Sequence, residues 1–310
     1  MSISQELIEQ VAYELNRRAA INLPGDVVQA LNQGCQHESE PMAKYVLCQI
    51  LENAKIAIED GRAICADTGL PRFYVKAGNE ALIEEGFIAL EGSLRRATSR
   101  ATRDFQLRAN RVHPLTRHNP GNNVGIHAPS ADYSFEPDAN WLELTAVHKG
   151  GLFGSDYRML FPGDGIDGIK RFFLDSISMF GRRGLSCPPV VVGIGIGGAK
   201  DQCVRLGKEA CSLRVIGDHH PELEVAQLEE ELIRLGNSTG FGVMGLPGDL
   251  SVLDVHIELA YAHTGGLPVA ISQFCNTLRR ATARIYPSGQ VDYRDDPQWF
   301  TPYYRRAGIG

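Results

Sequence analysis

Apolar residues recur every three or four positions near the start of the chain, a spacing typical of helices with one buried face. Leu7, Val11 and Leu15 form the first such stripe. Ser2 and Gln5 precede it in a capping-box pattern, in which two side chains satisfy free N–H groups of the first turn. The sequence therefore predicts that the chain begins with an amphipathic helix.

Two further helices are predicted before residue 61. Pro24-Gly25-Asp26 ends the first stripe, and a second helix follows with Leu31 on its apolar face. A third helix is predicted from about Met42 to Glu59, and Gly61 is well placed to end it. Residues 1–60 are thus predicted to be a helical N-terminal segment.

After Gly61 the pattern changes to apolar runs typical of strands, which alternate with helical stretches. The predicted strands include 73–76, 142–147, 189–192 and 267–272, and the clearest helices lie near 80–107, 166–181, 199–211 and 222–235. This alternation predicts an α/β fold, with a mixed α/β domain over 61–310 after the helical segment. No linker, repeat or low-complexity tract divides that domain.

Composition and charge exclude several classes of protein. The chain has 310 residues and a formal net charge of -6, whereas a nucleic-acid binder normally carries a basic balance. No apolar run approaches the roughly 18 residues that span a bilayer, and the first residues lack the features of a signal peptide. We therefore expect a cytoplasmic protein with neither nucleic acid nor membrane as a partner.

The seven cysteines are not expected to form disulfides in a reducing compartment. Four are interpreted as structural: Cys203 and Cys211 on the core side of one helix, Cys48 in the third helix, and Cys35 in a polar turn. A mononuclear metal site using Cys35 and His37 is an alternative, but no second pair of ligands supports it.

The other three cysteines, Cys65, Cys187 and Cys275, lie in predicted loops. Cys65 heads a run of turn-forming residues, Cys187 precedes two prolines, and Cys275 follows an apolar strand. Loops at strand ends are where α/β folds build sites, and thiolates with cationic neighbours suit an anionic iron–sulfur cluster. The residues alone leave two readings open, a shared metal site and ordinary packing cysteines.

A glycine-rich motif offers a competing site. Gly193-Ile-Gly-Ile-Gly-Gly198 follows an apolar strand and opens a helix, as in dinucleotide-binding folds, and Asp218 lies twenty residues further on. Against this reading, no second mononucleotide-binding half is visible. We favour the alternative interpretation, in which the glycines let a helix pack close to the strand or an anion approach the helix N-terminus.

Basic and histidine residues add further candidates. Seven arginines and one acid lie between residues 95 and 117, of which one or two are expected to contact a small anionic ligand. His263 lies in a glycine turn twelve residues before Cys275, from which its imidazole is expected to reach a ligand bound at that sulfur. His256 is interpreted as a packed strand residue, and His219-His220 as an exposed turn.

Seven of these motifs occur in an order that resembles the class I fumarase family, which includes the L(+)-tartrate dehydratases. They are Cys65-Ala-Asp-Thr-Gly, Asn119-Pro-Gly-Asn-Asn123, Lys149-Gly-Gly151, Cys187-Pro-Pro, the glycine run 193–198, His263 and Cys275-x-x-x-Arg279-Arg280. The order and rough spacing hold from about residue 5 to 286. The length is similar to that of the separate alpha subunit in two-subunit members.

The resemblance implies a hydro-lyase with a [4Fe–4S] cluster held by Cys65, Cys187 and Cys275, one iron keeping an open position. It assigns Asp67 to the proton of the substrate hydroxyl and Arg108 to a substrate carboxylate. It also implies a backbone contact from Gly150 or Gly151 and a hydrogen bond from His263. The expected substrate is a small hydroxy-dicarboxylate, as in malate to fumarate, with L(+)-tartrate dehydratase as the alternative.

One position departs from the family pattern. The residue between the first cysteine and the aspartate is usually a glutamine that contacts substrate, and here it is Ala66. A site that loses a hydrogen-bonding partner changes its substrate preference, so fumarate is the uncertain part of the assignment. Ala66 also keeps a third alternative open, an inactive regulatory subunit.

The family's reaction needs a base for the carbon-bound proton, and the resemblance places that base in a second region. Nothing after Arg280 resembles it, so a second (beta) subunit is expected in a hetero-oligomer or dimer. The basic stretch 95–117 and the aromatic residues from Trp299 to Tyr304 are candidates for that contact, because Arg, Trp and Tyr are enriched at interfaces.

Overall fold

A computed structural model describes residues 1–150 and 155–309. Its α-helices are α1 (Gln5–Ile21), α2 (Gly25–His37), α3 (Pro41–Asp60), α4 (Gly86–Asp104), α5 (Gly165–Arg183), α6 (Lys200–Leu213), α7 (Leu223–Asn237) and α8 (Thr301–Ala307). Its strands are β1 (Leu70–Gly78), β2 (Ser130–Glu136), β3 (Leu142–Lys149), β4 (Ser155–Leu160), β5 (Val190–Gly197), β6 (Val252–Ala260), β7 (Leu267–Phe274), β8 (Arg280–Ile285) and β9 (Val291–Arg294). The predicted α/β class, with helices first, is confirmed.

The chain forms two compact units, each assembled from separate stretches of sequence. Unit 1 contains Met1–Pro24, Asn53–Gly150 and Arg279–Ala307. Unit 2 consists mainly of Gly25–Glu52 and the described part of Gly151–Leu278. The helical segment 1–60 therefore contributes to both units, and the division at residue 60 stays a prediction.

Unit 1 is built on a five-stranded sheet in the order β2-β1-β3-β8-β9. β1 and β2 are parallel, whereas the other three pairings are antiparallel. Helices α1 and α4 cover one face through an apolar cluster that includes Leu15, Leu94 and Leu144. The stripe predicted from Leu7 to Leu15 does form α1, but its N-cap is Ser4, whose side chain accepts from the Leu7 N–H, and not Ser2.

The opposite face of this sheet contacts the C-terminal residues. Lys76, only 2% exposed, forms an ion pair with Glu143 and donates hydrogen bonds to the carbonyl oxygens of Pro297 and Gln298. Trp299 is 2% exposed and packs edge-on against Tyr74, with ring centroids 5.2 Å apart. The expectation that Trp299 contacts another chain is therefore wrong, because it is buried in its own unit.

Unit 2 is built on a four-stranded sheet in the order β4-β7-β5-β6. Helices α5 and α7 contribute Phe172 and Leu232 to an apolar cluster with Ile194 of β5. Helix α6 packs on the other face, where an added Cβ at Gly193 or Gly195 would collide with α6 backbone atoms. The glycine run thus permits close packing of a helix on a strand, as favoured from the sequence.

Cys35 and Cys48 form a disulfide between α2 and α3, with their Cα atoms 5.8 Å apart. The expectation that no cysteines pair is wrong for these two, because the antiparallel approach of the two helices brings their side chains together. Cys35 also lies within α2 and not in a turn, and the ring of His37 contacts the Gln33 carbonyl oxygen at 2.8 Å. No helix in the described ranges has both the length and the apolar character needed to cross a membrane.

Acid should destabilise unit 1 through His148 of β3. This side chain is completely buried, and its Nε2 donates to Asn16 Oδ1 at 2.8 Å. Burial, followed by the nearby charge of Arg279, lowers the pKa of His148 to about 3. A histidine in the unfolded chain titrates near ~6.5, so below that pH protons bind the unfolded state first and stability is lost. Between pH 6.5 and 4.5 this effect alone removes roughly 3 kcal/mol from the free energy of unfolding.

Urea unfolding monitored by tryptophan fluorescence measures this effect, because both tryptophans, Trp141 and Trp299, belong to unit 1. His148→Gln lowers stability at pH 7 but should remove most of the pH dependence between 6.5 and 4.5. His118→Gln, at an exposed loop position, is the matched control and should keep the wild-type dependence. An unchanged pH dependence in His148→Gln would show that another group causes the acid sensitivity.

Candidate active site

The loop between α3 and β1 carries the first candidate thiol. Gly69, at the end of this loop, has φ +82, and a Cβ there would lie 2.7 Å from the His148 backbone. Glycine therefore allows the loop to pack directly against the end of β3. Within the loop, Cys65 is partly exposed and Ala66 is exposed.

Asp67 is held in one orientation by neighbours in unit 1. Its Oδ1 accepts hydrogen bonds from the Gly69 N–H at 3.1 Å and from Asn110 Nδ2 at 2.8 Å. Its Oδ2 faces Gly150, where an added Cβ would lie only 2.9 Å from that oxygen. One carboxylate oxygen is thus restrained by two donors, while the other lies beside a residue that has no side chain.

Arg279 lies behind the same loop. Its guanidinium is 1% exposed, and Nη1 donates to the carbonyl oxygen of Asp67 at 3.0 Å. Nη2 is 3.4 Å from the position of a Cβ at Gly150. Arg279 Nε has no hydrogen-bond partner among the described residues. The charge beside Asp67 and Gly150 therefore adds an attraction for anions at this end of unit 1.

Arg108 is brought to the loop through its backbone. Its carbonyl oxygen accepts from Asn123 Nδ2 at 3.0 Å and lies 3.5 Å from Thr68 Oγ1, while its side chain is exposed. Asn123 is completely buried, and its Oδ1 accepts from the Asn110 N–H at 2.9 Å. The structure thus gathers Cys65, Ala66, Asp67, Arg108 and Gly150 in unit 1, whereas Gly151 lies outside the described residues.

In unit 2 the other two candidate thiols lie at one edge of the sheet. Cys187 precedes β5 and Cys275 follows the antiparallel strand β7. The Asn276 N–H donates to the Cys187 carbonyl oxygen at 3.0 Å, which joins the two loops. Cys275 Sγ lies 3.3 Å from Thr277 Oγ1, so a hydroxyl is available to that sulfur.

His263 lies at the opposite edge of the same sheet. It precedes β7, and the eight residues of that strand separate it from Cys275. At a rise of about 3.3 Å per residue, such a strand spans roughly 25 Å. The structure therefore does not bring His263 to the Cys275 sulfur of its own chain, because the intervening residues are extended and do not form a loop.

The five unbridged cysteines fall into two groups. Cys203 and Cys211 are buried and donate to the carbonyl oxygens of Gly195 and Lys208, and burial raises the pKa of the Cys203 thiol to about 12. The remaining three lie outside helices and strands, with Cys187 exposed and the other two partly exposed. Accessible thiols are the ligands that iron–sulfur clusters take, so these three fit such a group chemically.

No mononuclear site competes with that interpretation in the part of the chain that the structure describes. Within it, no group of three or more His, Cys, Asp or Glu side chains is arranged to hold a metal ion. His219 is exposed as predicted, but His220 is 5% exposed, and its Nδ1 accepts from the Glu222 N–H. Burial lowers the pKa of His220 to about 4. His256 is completely buried, as its alternation with apolar residues indicated.

Sequence reasoning missed Asn110 and underestimated Asn123 and Arg279. Asn110 has no sequence signal, because an asparagine in an irregular basic segment is ordinary. Asn123 has φ +58, a backbone conformation that asparagine adopts more readily than most residues. Its place at the end of Asn119-Pro-Gly-Asn-Asn123 was the available signal. Arg279 was noted only as a cationic neighbour of Cys275.

Comparisons with known proteins agree with this arrangement. A family model described as Fumarate hydratase (Fumerase) matches residues 9–284. The putative L(+)-tartrate dehydratase subunit alpha of Methanocaldococcus jannaschii is 44% identical over 283 residues, covering 90% of this chain and 97% of that protein. The L(+)-tartrate dehydratase subunit alpha of Escherichia coli is 32% identical over 282 residues, covering 90% of this chain and 91% of the relative.

Proposed function

The chain belongs to the Fumarate hydratase (Fumerase) family and is a hydro-lyase, and from that premise we propose that it is the alpha subunit of an enzyme that removes water from a small hydroxy-dicarboxylate. Malate to fumarate is the first candidate reaction. The observation in this chain that carries the proposal is the Cys65–Asp67 loop, which combines an accessible thiol with an oriented carboxylate.

The family is iron–sulfur dependent, and we propose Cys65, Cys187 and Cys275 as the ligands of a [4Fe–4S] cluster. The donor set supports this choice, because these are the cysteines that are neither bridged nor buried. With three protein thiolates, the bound cluster supplies an open iron that acts as a Lewis acid toward the substrate hydroxyl.

The residues of unit 1 have complementary roles in this proposal. Asp67 Oδ2 handles the proton of the hydroxyl that leaves as water, since its other oxygen is already bound by two donors. Arg108 binds a substrate carboxylate through its exposed guanidinium, which suits bidentate recognition. Gly150, and Gly151 after it, present backbone N–H groups without a side chain in the way. Arg279 adds positive charge behind them.

His263 fits this proposal in a different way. Because β7 separates it from Cys275 of its own chain, a hydrogen bond from His263 to substrate requires a second copy of the chain. Its exposure at a loop tip is compatible with that contact.

The proposal includes a second subunit, which supplies the base that takes the carbon-bound proton. The relatives are named as alpha subunits, and this supports a second chain. Arg96 and Arg100 of the basic stretch are held within unit 1 by Glu9, Asp104 and the ring of Tyr13. Arg108 and Arg117 remain exposed, so we propose them as candidates for the contact with the beta subunit.

Activity measurements with and without that subunit test the function. Purified anaerobically with iron bound, the chain alone should bind a dicarboxylate weakly and show little or no turnover. Co-expression with the cognate beta subunit should restore interconversion of malate and fumarate or dehydration of tartrate. Substantial hydratase activity of this chain without a co-purifying partner would contradict the two-subunit proposal, and iron-free protein that stays inactive with its partner would contradict the hydro-lyase site.

Ala66 should decide substrate preference. Its side chain is exposed beside Cys65, so Ala66→Gln adds an amide donor and acceptor near the proposed open iron. We expect the ratio of kcat/KM for malate and tartrate to change at least about tenfold, equivalent to about 1.4 kcal/mol in the transition state. Tartrate is the second candidate because the relatives are named tartrate dehydratases. Ala63→Gln, at a partly exposed position two residues before Cys65, is the control. An equal ratio in wild type and Ala66→Gln would show that this position does not face substrate.

A further inference from the structure

Strand β2 is an exposed edge of the unit 1 sheet. Among the described strands it pairs only with β1, so the backbone groups on its other side have no strand partner. Its side chains alternate. Ala131 and Tyr133 pack on the side of the sheet that α1 and α4 cover, and Phe135, which follows in the same alternation, is 53% exposed. A flat edge strand with exposed apolar residues is a template for pairing with another strand.

An apolar groove lies beside this edge. It has a volume of about 310 Å³ and is lined by Phe87, Ile88, Glu91, Tyr133 and Phe135. Ile88 is 90% exposed, and the ring of Phe87 meets that of Tyr133 edge-on with centroids 5.7 Å apart. Exposed apolar surface next to an unpaired strand is characteristic of an interaction site.

We propose that β2 pairs antiparallel with β2 of a second copy of this chain, around a two-fold axis at Tyr133, and joins the two sheets into one. In this register Ala131 lies opposite Phe135 of the copy, and the small alanine leaves room for that ring. Such a two-fold contact uses the same surface on both chains and closes on itself.

Charge complementarity selects this register. Like charges directly opposite each other destabilise a strand pair. Centred on Tyr133, the pairing places Asp132 opposite Ser134 and Glu136 opposite Ser130. Moving the axis to residue 132 would place Asp132 opposite itself, and moving it to residue 134 would place Asp132 opposite Glu136 twice. Of these three arrangements, only the axis at Tyr133 avoids opposed acids.

Sedimentation equilibrium of the purified chain, without a beta subunit, tests the proposal. We expect a monomer–dimer equilibrium whose Kd rises at least tenfold in Phe135→Glu. Ile126→Glu is the matched control, because Ile126 is 87% exposed in unit 1 but does not line the groove. Circular dichroism and a thermal melt check that the variants are folded.

The register has a separate test at Ser130, which is partly exposed. Ser130→Glu places an acid opposite Glu136 of the copy and should weaken the dimer, whereas Ser130→Lys should preserve or tighten it. A monomer at all concentrations would overturn the proposal, as would a dimer that Phe135→Glu leaves unchanged. Equal effects of the two Ser130 variants would overturn the register. These results do not depend on turnover, so they are independent of the proposed catalytic function.

Discussion

Replacing Cys65, Cys187 or Cys275 by serine is expected to abolish iron incorporation into the chain. A serine hydroxyl is a hard and poorly ionised ligand, and iron–sulfur clusters are held by soft thiolates. With only three proposed ligands, the loss of one leaves two, which do not retain the cluster. Iron and sulfide content after anaerobic purification, with the broad absorbance of the bound cluster, measures the effect in each variant.

Cys203→Ser is the matched control for this series. The Cys203 thiol is buried and donates to the Gly195 carbonyl oxygen at 3.1 Å, and a serine hydroxyl keeps a donor at that position. We expect full iron content and a loss of stability of about 1 kcal/mol, since the smaller polar atom fills the site less well. The ligand assignment fails if Cys203→Ser loses iron or if any of the three proposed ligands is dispensable.

Asp67→Asn is expected to reduce kcat of the assembled enzyme by about 10²–10⁴, the usual contribution of a positioned acid or base. An asparagine oxygen can still accept hydrogen bonds from Gly69 and Asn110, so the loop should keep its shape. The oxygen that faces Gly150 becomes an amide group, which neither takes nor delivers the proton. Steady-state kinetics with the beta subunit present, together with iron content, separate loss of chemistry from loss of the cluster.

Two further variants make this prediction specific. Asn110→Ala removes one of the two donors to Asp67 Oδ1 while retaining the carboxylate, so we expect a smaller fall in kcat, about tenfold, with unchanged iron. Asp138→Asn, at an exposed position of unit 1, should leave the kinetics at the wild-type level. Near-normal turnover of Asp67→Asn would remove the carboxylate from the reaction.

The helices were predictable because each has a long apolar stripe. Strand β8 was not, because only its alternate residues are apolar: Ala281, Ala283 and Ile285 belong to or pack against the core, whereas Arg284 pairs with the buried carboxylate of Glu143. A buried ion pair on a sheet face has the sequence pattern of a surface. The same reason hid Lys76, whose ammonium group is buried against backbone carbonyls.

The candidate site was predictable where a single residue type defines the chemistry. Cysteines in loops and an aspartate among turn-forming residues are visible in the sequence. The placement of His263 was not, since distance along the chain does not distinguish a loop from a strand that leads away. The Cys35–Cys48 pairing depended on how two helices meet, which their spacing of 13 residues does not determine.

The interleaving of the two units has a consequence for the order of events during synthesis. The complete sheet of unit 2 has left the ribosome once residue 274 is made, whereas β3 must wait for β8, which begins at residue 280. Contacts between distant parts of a chain close slowly, and domains tend to fold in the order in which they emerge. Arg279, which holds the Asp67 loop, arrives with β8. The nascent chain therefore presents Cys65 in an unfinished loop until its last segment docks, so insertion of iron and sulfide should follow release from the ribosome.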